Sequence, residues 1–389
     1  MPLDILIVGA GIAGLSAAIA LGKQGHRIVI LEKSQFATEV GAAIHIPPNC
    51  TAVLEWMGIN PADFGGTLLR EIHRYDSKGN VTYLKDFTPI RGHWQAEWYL
   101  VHRVDLHSHL KEHALKTATL HTGCRIEEID YTSPRVVLSD GRVFTADLLL
   151  GADGVHSQVR TYVSPSTPAA TPAGKVCFRW LLPTSQLKEH PSTAELVARP
   201  GVFIEWEGPD RRLVAYPCSN DQVYNLCAFV DDDGTTEGQD IKPVLCSSLS
   251  GFPEAVQRIT ESAENPQAWT LRQLPALPDW VRGRAVLLGD AAHPFQPYLG
   301  QGGAMAIEDA VSLAVLLPAE TTVEQIPDRL KLYDTGRRPR VDLVMEYTLL
   351  NGQDEGKRVD AAGMVKFMGI CFSHNEVKAS QTLLQTVAA

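Results

Sequence analysis

The sequence predicts an α/β fold in which a discontinuous domain of parallel strands and helices carries a second, sheet-rich domain and a helical C-terminal region. The first reason is a strand–turn–helix–strand pattern at the N-terminus, with apolar runs at Asp4–Val8 and Arg27–Leu31. The second is a pair of later apolar runs, at 146–150 and 285–288, each followed directly by glycine and, within two further residues, by aspartate. The third is an alternating, aromatic segment at 175–229, which is typical of an antiparallel sheet with one covered face.

The N-terminal residues predict one βαβ unit whose connecting turn binds a dinucleotide. Gly9, Gly11 and Gly14 form a G-x-G-x-x-G pattern directly after the first strand and before an Ala- and Leu-rich helix at 12–21. Gly9 permits a tight turn, Gly11 lets the backbone approach a pyrophosphate at the helix N-terminus, and Gly14 lets the helix pack close to the strand. Glu32 ends the second strand, where a carboxylate can accept hydrogen bonds from ribose hydroxyls.

Turn residues and apolar runs predict the elements that follow. The triplet 78–80 (Lys-Gly-Asn) indicates a hairpin, and the alternating segment 125–144 indicates a second hairpin that turns at 139–141. Residues 104–114 and 304–317 predict helices, because each run lacks proline and is rich in apolar or helix-forming side chains.

Two later segments predict a crossing and a helical tail. Residues 164–174 are crowded with Pro, Ser, Thr and Ala, which favours an irregular crossing between domains. The chain from Val323 onward is mostly helical in pattern, with a break expected at Pro339.

We therefore expect a Rossmann-like domain assembled from three separate pieces of chain. These pieces are residues 1–70, 96–170 and 269–389, the last of which includes the C-terminal helices. Residues 71–95 and 171–268 are expected to form the second domain, a mixed or antiparallel sheet.

Composition narrows the class of protein. The 389 residues include 35 basic and 45 acidic side chains, which gives a formal charge of −10 and no basic stripe for nucleic acid or anionic lipid. The seven cysteines are scattered and odd in number, which is typical of thiols in a reducing compartment. The uncharged run at 5–21 is too short for a confident membrane span. We expect a cytoplasmic protein with no nucleic-acid partner and no stable membrane insertion.

One metal-like pattern is present. His109 and His113, with Glu112, match H-x-x-E-H on a predicted helix, but no third ligand is evident. We expect no metal and interpret the match as chance.

Two strand-end motifs sharpen the functional prediction. Asp153 lies in Gly-Ala-Asp-Gly and is followed by Arg160, and Asp290 lies in Gly-Asp-Ala-Ala-His-Pro. Each motif places a short carboxylate at the carboxyl end of a buried strand, which is where open α/β sheets bind ligands.

With these motifs in this order, the sequence resembles the FAD-dependent aromatic hydroxylases, or single-component flavoprotein monooxygenases, in their salicylate hydroxylase-like branch. The resemblance covers nearly the whole chain. It also rests on Gly-Ala-Ala-Ile at 41–44 with Pro-Asn at 48–49, on Val-His-Arg at 101–103, and on the run from 297 through 303 to Glu308-Asp309.

The resemblance implies FAD as the cofactor. Asp290 is expected at the ribityl chain, Arg103 near the phosphates or ribityl region, and Asp153 where it supports FAD and passing NAD(P)H. The segment 297–303 is expected against the isoalloxazine ring, where backbone N–H groups and the next helix N-terminus favour negative charge. The cofactor-binding residues predicted in this way are Gly9, Gly11, Ala13, Gly14, Glu32, Lys33, Ala43, Arg103, Asp153, Asp290, Pro297, Gly300, Gly302 and Gly303.

The resemblance also places three candidate catalytic residues near the flavin. Arg179 is suited to binding a carboxylate or phenolate, Tyr216 to orienting or relaying a phenol proton, and His45 to acting as the base. The alternatives for these positions are a surface arginine, a core tyrosine and a packed histidine.

Other residues near the expected pocket have weaker assignments. Aromatic side chains are candidates for its lining, with ordinary core packing as the alternative. Cys218 and Cys227 are interpreted as packing thiols, and His293 as structural. The aromatic candidates are Trp94, Trp98, Phe203 and Phe295.

The family chemistry implies NAD(P)H and dioxygen as co-substrates and a phenolic small molecule as substrate, hydroxylated through a flavin hydroperoxide. Two alternatives stay open: an oxidative dearomatase acting on a polyketide-type phenol, and an FAD-holding module without turnover. We expect a monomer or homodimer.

Overall fold

The computed structural model describes residues 1–35, 42–130, 133–232, 234, 240–354 and 357–388, with residues 387 and 388 described by backbone alone. Gly41, which belongs to one of the family motifs, lies outside the described residues.

The described chain forms both strands and helices, as an α/β fold requires. The strands are β1 Asp4–Val8, β2 Arg27–Leu31, β3 Ala43–Ile46, β4 Thr67–Leu68, β5 Glu71–Asp76, β6 Val81–Asp86, β7 Tyr99–His102, β8 Ala118–His121, β9 Ile126–Asp130, β10 Arg135–Leu138, β11 Val143–Thr145, β12 Leu148–Gly151, β13 Thr171–Pro183, β14 Val202–Glu207, β15 Arg212–Cys218, β16 Val223–Asp231, β17 Gln267–Gln273, β18 Val281–Arg282 and β19 Ala285–Leu287. The helices are α1 Ile12–Lys23, α2 Pro48–Trp56, α3 Arg103–Ala114, α4 Gln158–Val163, α5 Thr184–Leu187, α6 Pro191–Ala194, α7 Ile241–Ser248, α8 Glu254–Glu261, α9 Gly302–Leu316, α10 Ile326–Asn351, α11 Ala361–Phe372 and α12 Glu376–Ala388.

A six-stranded sheet forms the core of the first layer, in the order β18-β19-β12-β1-β2-β8. β1 pairs in parallel with both β2 and β12, and β12 pairs in parallel with β19. The predicted βαβ unit is confirmed, and its strands have the predicted bounds. Because neighbouring parallel strands end at the same edge, the residues after β1, β12 and β19 are brought together.

A seven-stranded sheet forms the second layer, in the order β17-β13-β16-β15-β14-β5-β6. Its strands pair antiparallel, except that β14 runs parallel to β5. The predicted hairpin at 78–80 is confirmed as the β5–β6 turn. One face of the sheet packs against α7 and α8 in its own apolar core. The opposite face, called the pocket face, carries Cys177, Val214, Tyr216, Cys227 and Phe229.

The edge of the large sheet differs from the sequence prediction. β17 pairs with β13, so the domain boundary expected at residue 269 falls inside a strand, and a division after Gln273 keeps the sheet intact. The crossing expected at 164–174 is likewise partly paired, since β13 begins at Thr171. β17 is an edge strand with mostly exposed side chains, so it lacks the alternation that reveals a half-buried strand.

Smaller sheets and the helical tail complete the fold. β3, β7 and β4 form a three-stranded sheet, and β9, β10 and β11 form a meander in which the expected turn at 139–141 joins β10 to β11. α9 is buried along almost its whole length. Within the described ranges, no helix combines the length and apolar character that a membrane span requires.

The predicted helix break at Pro339 is wrong. α10 runs through Pro339 without interruption for 26 residues. Arg337 and Arg340 flank the proline and donate to Glu308 of α9, each at 2.7 Å. We attribute the continuity to these buried contacts, which offset the loss of one backbone hydrogen bond.

A buried charge cluster lies where α9, α10 and α12 meet. Arg337 donates to Glu308, to Asp309 at 2.8 Å and to Glu376 at 2.6 Å, and its side chain is fully buried. Burial raises the pKa of Glu308, but Arg340 and Arg337 outweigh this effect and hold the pKa well below its usual range.

Replacing Arg337 with Met should destabilise the protein by about 3–5 kcal/mol, because three buried carboxylates lose their shared cation. Chemical unfolding followed by circular dichroism measures the change. Lys331→Met is the control, since Lys331 forms an exposed pair with Asp328 on the same helix and should change the free energy of unfolding little. Equal effects of the two substitutions would contradict the central role of the cluster.

Candidate active site

Three strand ends predicted to form one site meet at one edge of the six-stranded sheet. Val8 is in register with Gly151, and Gly151 with Leu287, so Gly9 and the two acidic motifs follow adjacent strand ends. Arg160 joins the two motifs, since its guanidinium donates to the carbonyl oxygens of Asp290 and Ala291 at 3.4 and 3.1 Å. The structure therefore brings together the segments that the sequence places far apart.

The glycine turn has the shape of a phosphate cradle. Gly9 has a φ of +101°, and a Cβ there would lie 2.4 Å from the Ala152 carbonyl oxygen. A Cβ on Gly14 would lie 2.0 Å from the Gly9 carbonyl oxygen. Gly11 differs, because its φ is −76° and a Cβ there would meet no atom within 4 Å. Gly9 and Gly14 are thus required by the fold, whereas Gly11 keeps space open above the N-terminus of α1.

Glu32 is fixed beside this turn. Its carboxylate accepts hydrogen bonds from the backbone N–H groups of Ala10 at 2.8 Å and Ser34 at 2.7 Å. These contacts leave further lone pairs for ribose hydroxyls. Lys33 is exposed next to Glu32. Ala13 lies on α1 and faces the second acidic motif, since a Cβ on Gly289 would lie 3.0 Å from the Ala13 Cβ.

The two strand-end carboxylates are held differently. Asp153 accepts hydrogen bonds from the Gln158 N–H at 2.7 Å, the Val159 N–H at 3.2 Å and the Ser157 hydroxyl, so it caps α4. Burial raises the pKa of Asp153, although these donors oppose the shift. The Asp290 side chain is exposed and makes no hydrogen bond to the described residues. Asp290 is therefore the carboxylate that is free to accept from cofactor hydroxyls.

The glycine-rich loop before α9 packs tightly on β3. Gly300 has a φ of +63°, and a Cβ there would lie 3.0 Å from the His45 side chain. A Cβ on Gly303 would lie 2.6 Å from Ile44, and one on Gly302 would lie 3.2 Å from Phe295. The loop begins with a short 3-10 turn at Pro297–Leu299, and α9 starts at Gly302. This arrangement fits the predicted anion site at a helix N-terminus.

Backbone contacts place the other predicted cofactor residues near the loop. The Arg103 N–H donates to the Ala42 carbonyl at 2.8 Å, where α3 begins. Ala43 is held on both sides, because its N–H donates to Asn225 at 2.8 Å and its carbonyl accepts from the Tyr216 hydroxyl at 3.0 Å. The glycine cradle, the free Asp290 carboxylate and the N-terminus of α9 together fit an adenine-linked dinucleotide such as FAD.

His45 and Tyr216, two of the three candidate catalytic residues, are in contact. The ring centroid of His45 lies 4.6 Å from that of Tyr216, 5.5 Å from Phe203 and 6.0 Å from Trp98. Burial lowers the pKa of His45 to about 4, so its imidazole is neutral near pH 7. Burial raises the pKa of Tyr216 well above its usual value. The pair therefore offers a neutral acceptor beside a tyrosine that keeps its proton.

Arg179 lies two strands away from Tyr216. It faces Cys227 of β16 in register, and Cys227 in turn faces Val214 of β15. Its Nε donates to the Cys177 sulfur at 3.4 Å, and its guanidinium carbon lies 6.0 Å from the Trp269 ring centroid. Arg179 thus provides a cation on the pocket face, apart from the His45–Tyr216 contact.

The aromatic candidates divide into pocket and supporting residues. Trp98 and Phe203 contact His45 directly, whereas Trp94 packs on Phe372 of α11 at 5.2 Å. Phe295 packs beside His293 at 5.7 Å, in the core of the six-stranded sheet. His293 is buried and pairs with Asp309 at 2.7 Å, as expected of a structural residue.

Sequence reasoning missed Asn225, and it gave Tyr298 no role of its own within the segment 297–303. Asn225 is fully buried and connects β16 to Ala43, and Tyr298 packs on Phe229 with ring centroids 5.4 Å apart. The available signal for Asn225 is that it is the single polar residue of the buried run 224–230. Its partner is distant in sequence and gives no local pattern.

The metal-like motif does not gather ligands. Of the residues described, one set brings three ligand-type atoms within 4.8 Å of one another, and it is Glu308, His374 and Glu376, not His109 and His113. Arg337 donates to both of those glutamates, so a guanidinium already supplies the positive charge.

Comparison with known proteins identifies the family. A family model described as an FAD binding domain matches residues 2–348. The chain belongs to this FAD-binding family. The predicted resemblance and the predicted cofactor, FAD, are thereby confirmed.

Curated relatives of this family member are monooxygenases. Hispidin-3-hydroxylase from Neonothopanus nambi is 35% identical, over 88% of this chain and 86% of its own length. The 3-hydroxybenzoate 6-hydroxylase 1 from Aquipseudomonas alcaligenes is 32% identical, over 89% and 87%. A solved salicylate hydroxylase complex superposes with a TM-score of 0.81 over 98% of each chain, at 22% identity. The protein is an FAD-dependent monooxygenase with the predicted α/β fold.

Gly11→Ala should reduce FAD retention at least about tenfold, because the new methyl group occupies the space above the N-terminus of α1. The free energy of unfolding of the apoprotein should stay nearly unchanged, because that methyl group meets no protein atom within 4 Å. FAD absorbance after gel filtration and chemical unfolding of the apoprotein measure the two effects. Gly369→Ala is the control, since a Cβ there also meets nothing within 4 Å. A Gly11→Ala protein that stays fully yellow would count against the cradle.

Proposed function

We propose that the protein is an NAD(P)H-dependent aromatic hydroxylase that inserts one oxygen atom of dioxygen into a phenolic small molecule. The observation that carries the proposal is the contact of His45 with Gly300. A residue of the aromatic pocket therefore lies directly on the loop that leads into α9. An aromatic substrate held there would lie beside the segment assigned to the flavin ring.

Bound FAD supplies the redox chemistry, which is reduction by NAD(P)H and activation of dioxygen. The chain's own residues bind and orient the reactants. The N-terminus of α9 favours negative charge beside the loop, and Arg179 attracts a phenolate or carboxylate. Neutral His45 accepts the phenol proton, and the rings of Trp98 and Phe203 exclude water.

This arrangement divides the chain into a part that holds the cofactor and a part that binds the substrate. We propose that residues 1–70, 96–170 and 274–389 hold FAD, and that residues 71–95 and 171–273 form the substrate-binding part. We propose that the protein acts in the cytoplasm as a monomer or homodimer.

Turnover with a panel of phenols tests the proposal. The purified yellow protein should oxidise NADH or NADPH faster in the presence of its substrate and should yield an oxygenated product. An aromatic product identifies a hydroxylase, and a product that has lost aromaticity identifies the alternative, an oxidative dearomatase. A bound flavin that neither NADH nor NADPH can reduce would instead favour a non-catalytic FAD module.

Arg179→Ala should raise the KM for an anionic phenol by about ten- to a hundredfold, because a charge-assisted hydrogen bond contributes about 1.5–3 kcal/mol. FAD content should stay at the parent level. Arg272→Ala on the neighbouring strand is the matched control, since Arg272 is exposed and donates only to the Ala170 carbonyl among the described residues. Steady-state kinetics separate KM from kcat, and loss of FAD in the Arg179 variant would show that this residue belongs to the cofactor site.

A further inference from the structure

The helix α11 has no part in the proposed reaction, yet it reaches the substrate side of the molecule. Met368 packs against two apolar clusters at once, the core of the six-stranded sheet and the cluster on the pocket face. Phe372 follows one turn later, is 2% exposed and belongs to the first of these cores. Because residues four apart lie on the same face of a helix, Met368 and Phe372 form one surface. A helix from the cofactor part of the chain therefore borders the residues assigned to the substrate.

Phe372 supports the aromatic side of the pocket. Its ring meets that of Trp98 edge-on, with centroids 4.9 Å apart, and that of Trp94 at 5.2 Å. Trp98 in turn contacts His45 at 6.0 Å and Phe87 at 5.9 Å. Trp98 therefore touches both α11 and the pocket, and close packing lets a change of volume at Phe372 reach the substrate through it.

Hydrogen bonds fix the end of α11 to the segment 94–98, which carries both tryptophans. Gln95 donates through Nε2 to the carbonyl oxygens of Phe372, at 3.1 Å, and of His374. Its Oε1 accepts from Asn375 Nδ2 at 2.8 Å. The orientation of this amide is determined, because both its donor and its acceptor are used. The turn between α11 and α12 therefore cannot shift without breaking these bonds.

The helix α12 anchors the same turn in the buried charge cluster. Glu376, its first residue, accepts from Arg337 at 2.6 Å and from the Ser380 hydroxyl at 2.8 Å. Ser380 also pairs with Ser312 of α9 at 2.8 Å. The C-terminal end of α11 is thus held by an ion pair and hydrogen bonds as well as by apolar packing, which is what a rigid wall requires.

We propose that α11 is a wall of the substrate pocket and that Met368 and Phe372 determine the size of the phenol it admits. The inference rests on the proposed function, since it concerns the substrate of that same site. Met368 acts by direct contact, and its unbranched side chain is suited to following the outline of a ligand. Phe372 is a positioning residue, because it acts through Trp98. Shortening either side chain enlarges the pocket and leaves Arg179 in place.

The test compares two probes that share one head group and differ by one fused ring, salicylate and 3-hydroxy-2-naphthoate. Equilibrium dialysis with the FAD-containing protein gives a dissociation constant for each. Met368→Ala should lower the constant of the naphthoate relative to that of salicylate at least about tenfold, since one methylene in an apolar pocket changes discrimination by about 10- to 200-fold. Val365→Ala is the control, because Val365 lies on the same helix and is 67% exposed. It should leave the ratio at the parent value.

Two further variants test the positioning role of Phe372. Phe372→Ala should shift the ratio in the same direction as Met368→Ala, whereas Phe372→Met keeps most of the volume and should keep the parental ratio. Met368 is partly exposed, so its variant decides the question even where Phe372→Ala does not fold. FAD content should stay at the parent level in every folded variant.

Three results would overturn the inference. The first is an equal change for the two probes in Met368→Ala, and the second is an effect of Phe372→Met as large as that of Phe372→Ala. The third is a parent protein and variants that bind neither probe.

Failure of this inference is distinguishable from failure of the proposed function, because binding requires no turnover. A protein that shows the expected size effect but oxidises no NAD(P)H with any phenol would refute the hydroxylase alone. A protein that hydroxylates a phenol but shows no size effect in the Met368 variant would refute this inference alone.

Discussion

A fully buried carboxylate, Asp309, holds the cofactor side of the molecule together. It accepts hydrogen bonds from the Gly289 N–H at 2.9 Å, from His293 at 2.7 Å and from Arg337 at 2.8 Å. The first two contacts fix the turn that carries Asp290, and the third connects that turn to α10. Because a buried charge is costly unless it is paired and hydrogen-bonded, the turn, α9 and α10 are constrained to keep one arrangement.

A second polar connection fixes the substrate side relative to the first. The Ala43 N–H donates to Asn225 of β16, and the Ala43 carbonyl accepts from Tyr216 of β15. Two strands of the seven-stranded sheet therefore hydrogen-bond to β3. β3 also packs against the loop 300–303, where a side chain in place of Gly300 or Gly303 would crowd His45 or Ile44. His45 is therefore positioned from both sides, by the pocket face and by the loop before α9.

The local features of the fold could be predicted from the sequence, and the distant partnerships could not. The βαβ unit and the ends of its strands follow from periodicity and glycine, whose effects act within a few residues. The break predicted at Pro339 was wrong because the contacts that stabilise the helix there are made with Glu308, which is on another helix. Asn225 was missed for the same reason, since its partner Ala43 is 182 residues away. The edge strand β17 was misassigned because its exposed side chains carry no periodic signal.

The same contacts constrain how a phenol proton can leave in the proposed reaction. The Tyr216 hydroxyl already donates to Ala43, so it is better suited to accept a hydrogen bond from substrate than to remove a proton. His45 is free to accept, but its lowered pKa makes it a weak base. Deprotonation must then rest largely on stabilising the phenolate, which is a task for Arg179 and the N-terminus of α9. In the proposed reaction, the pocket therefore favours phenols that are already acidic over those that need a strong base.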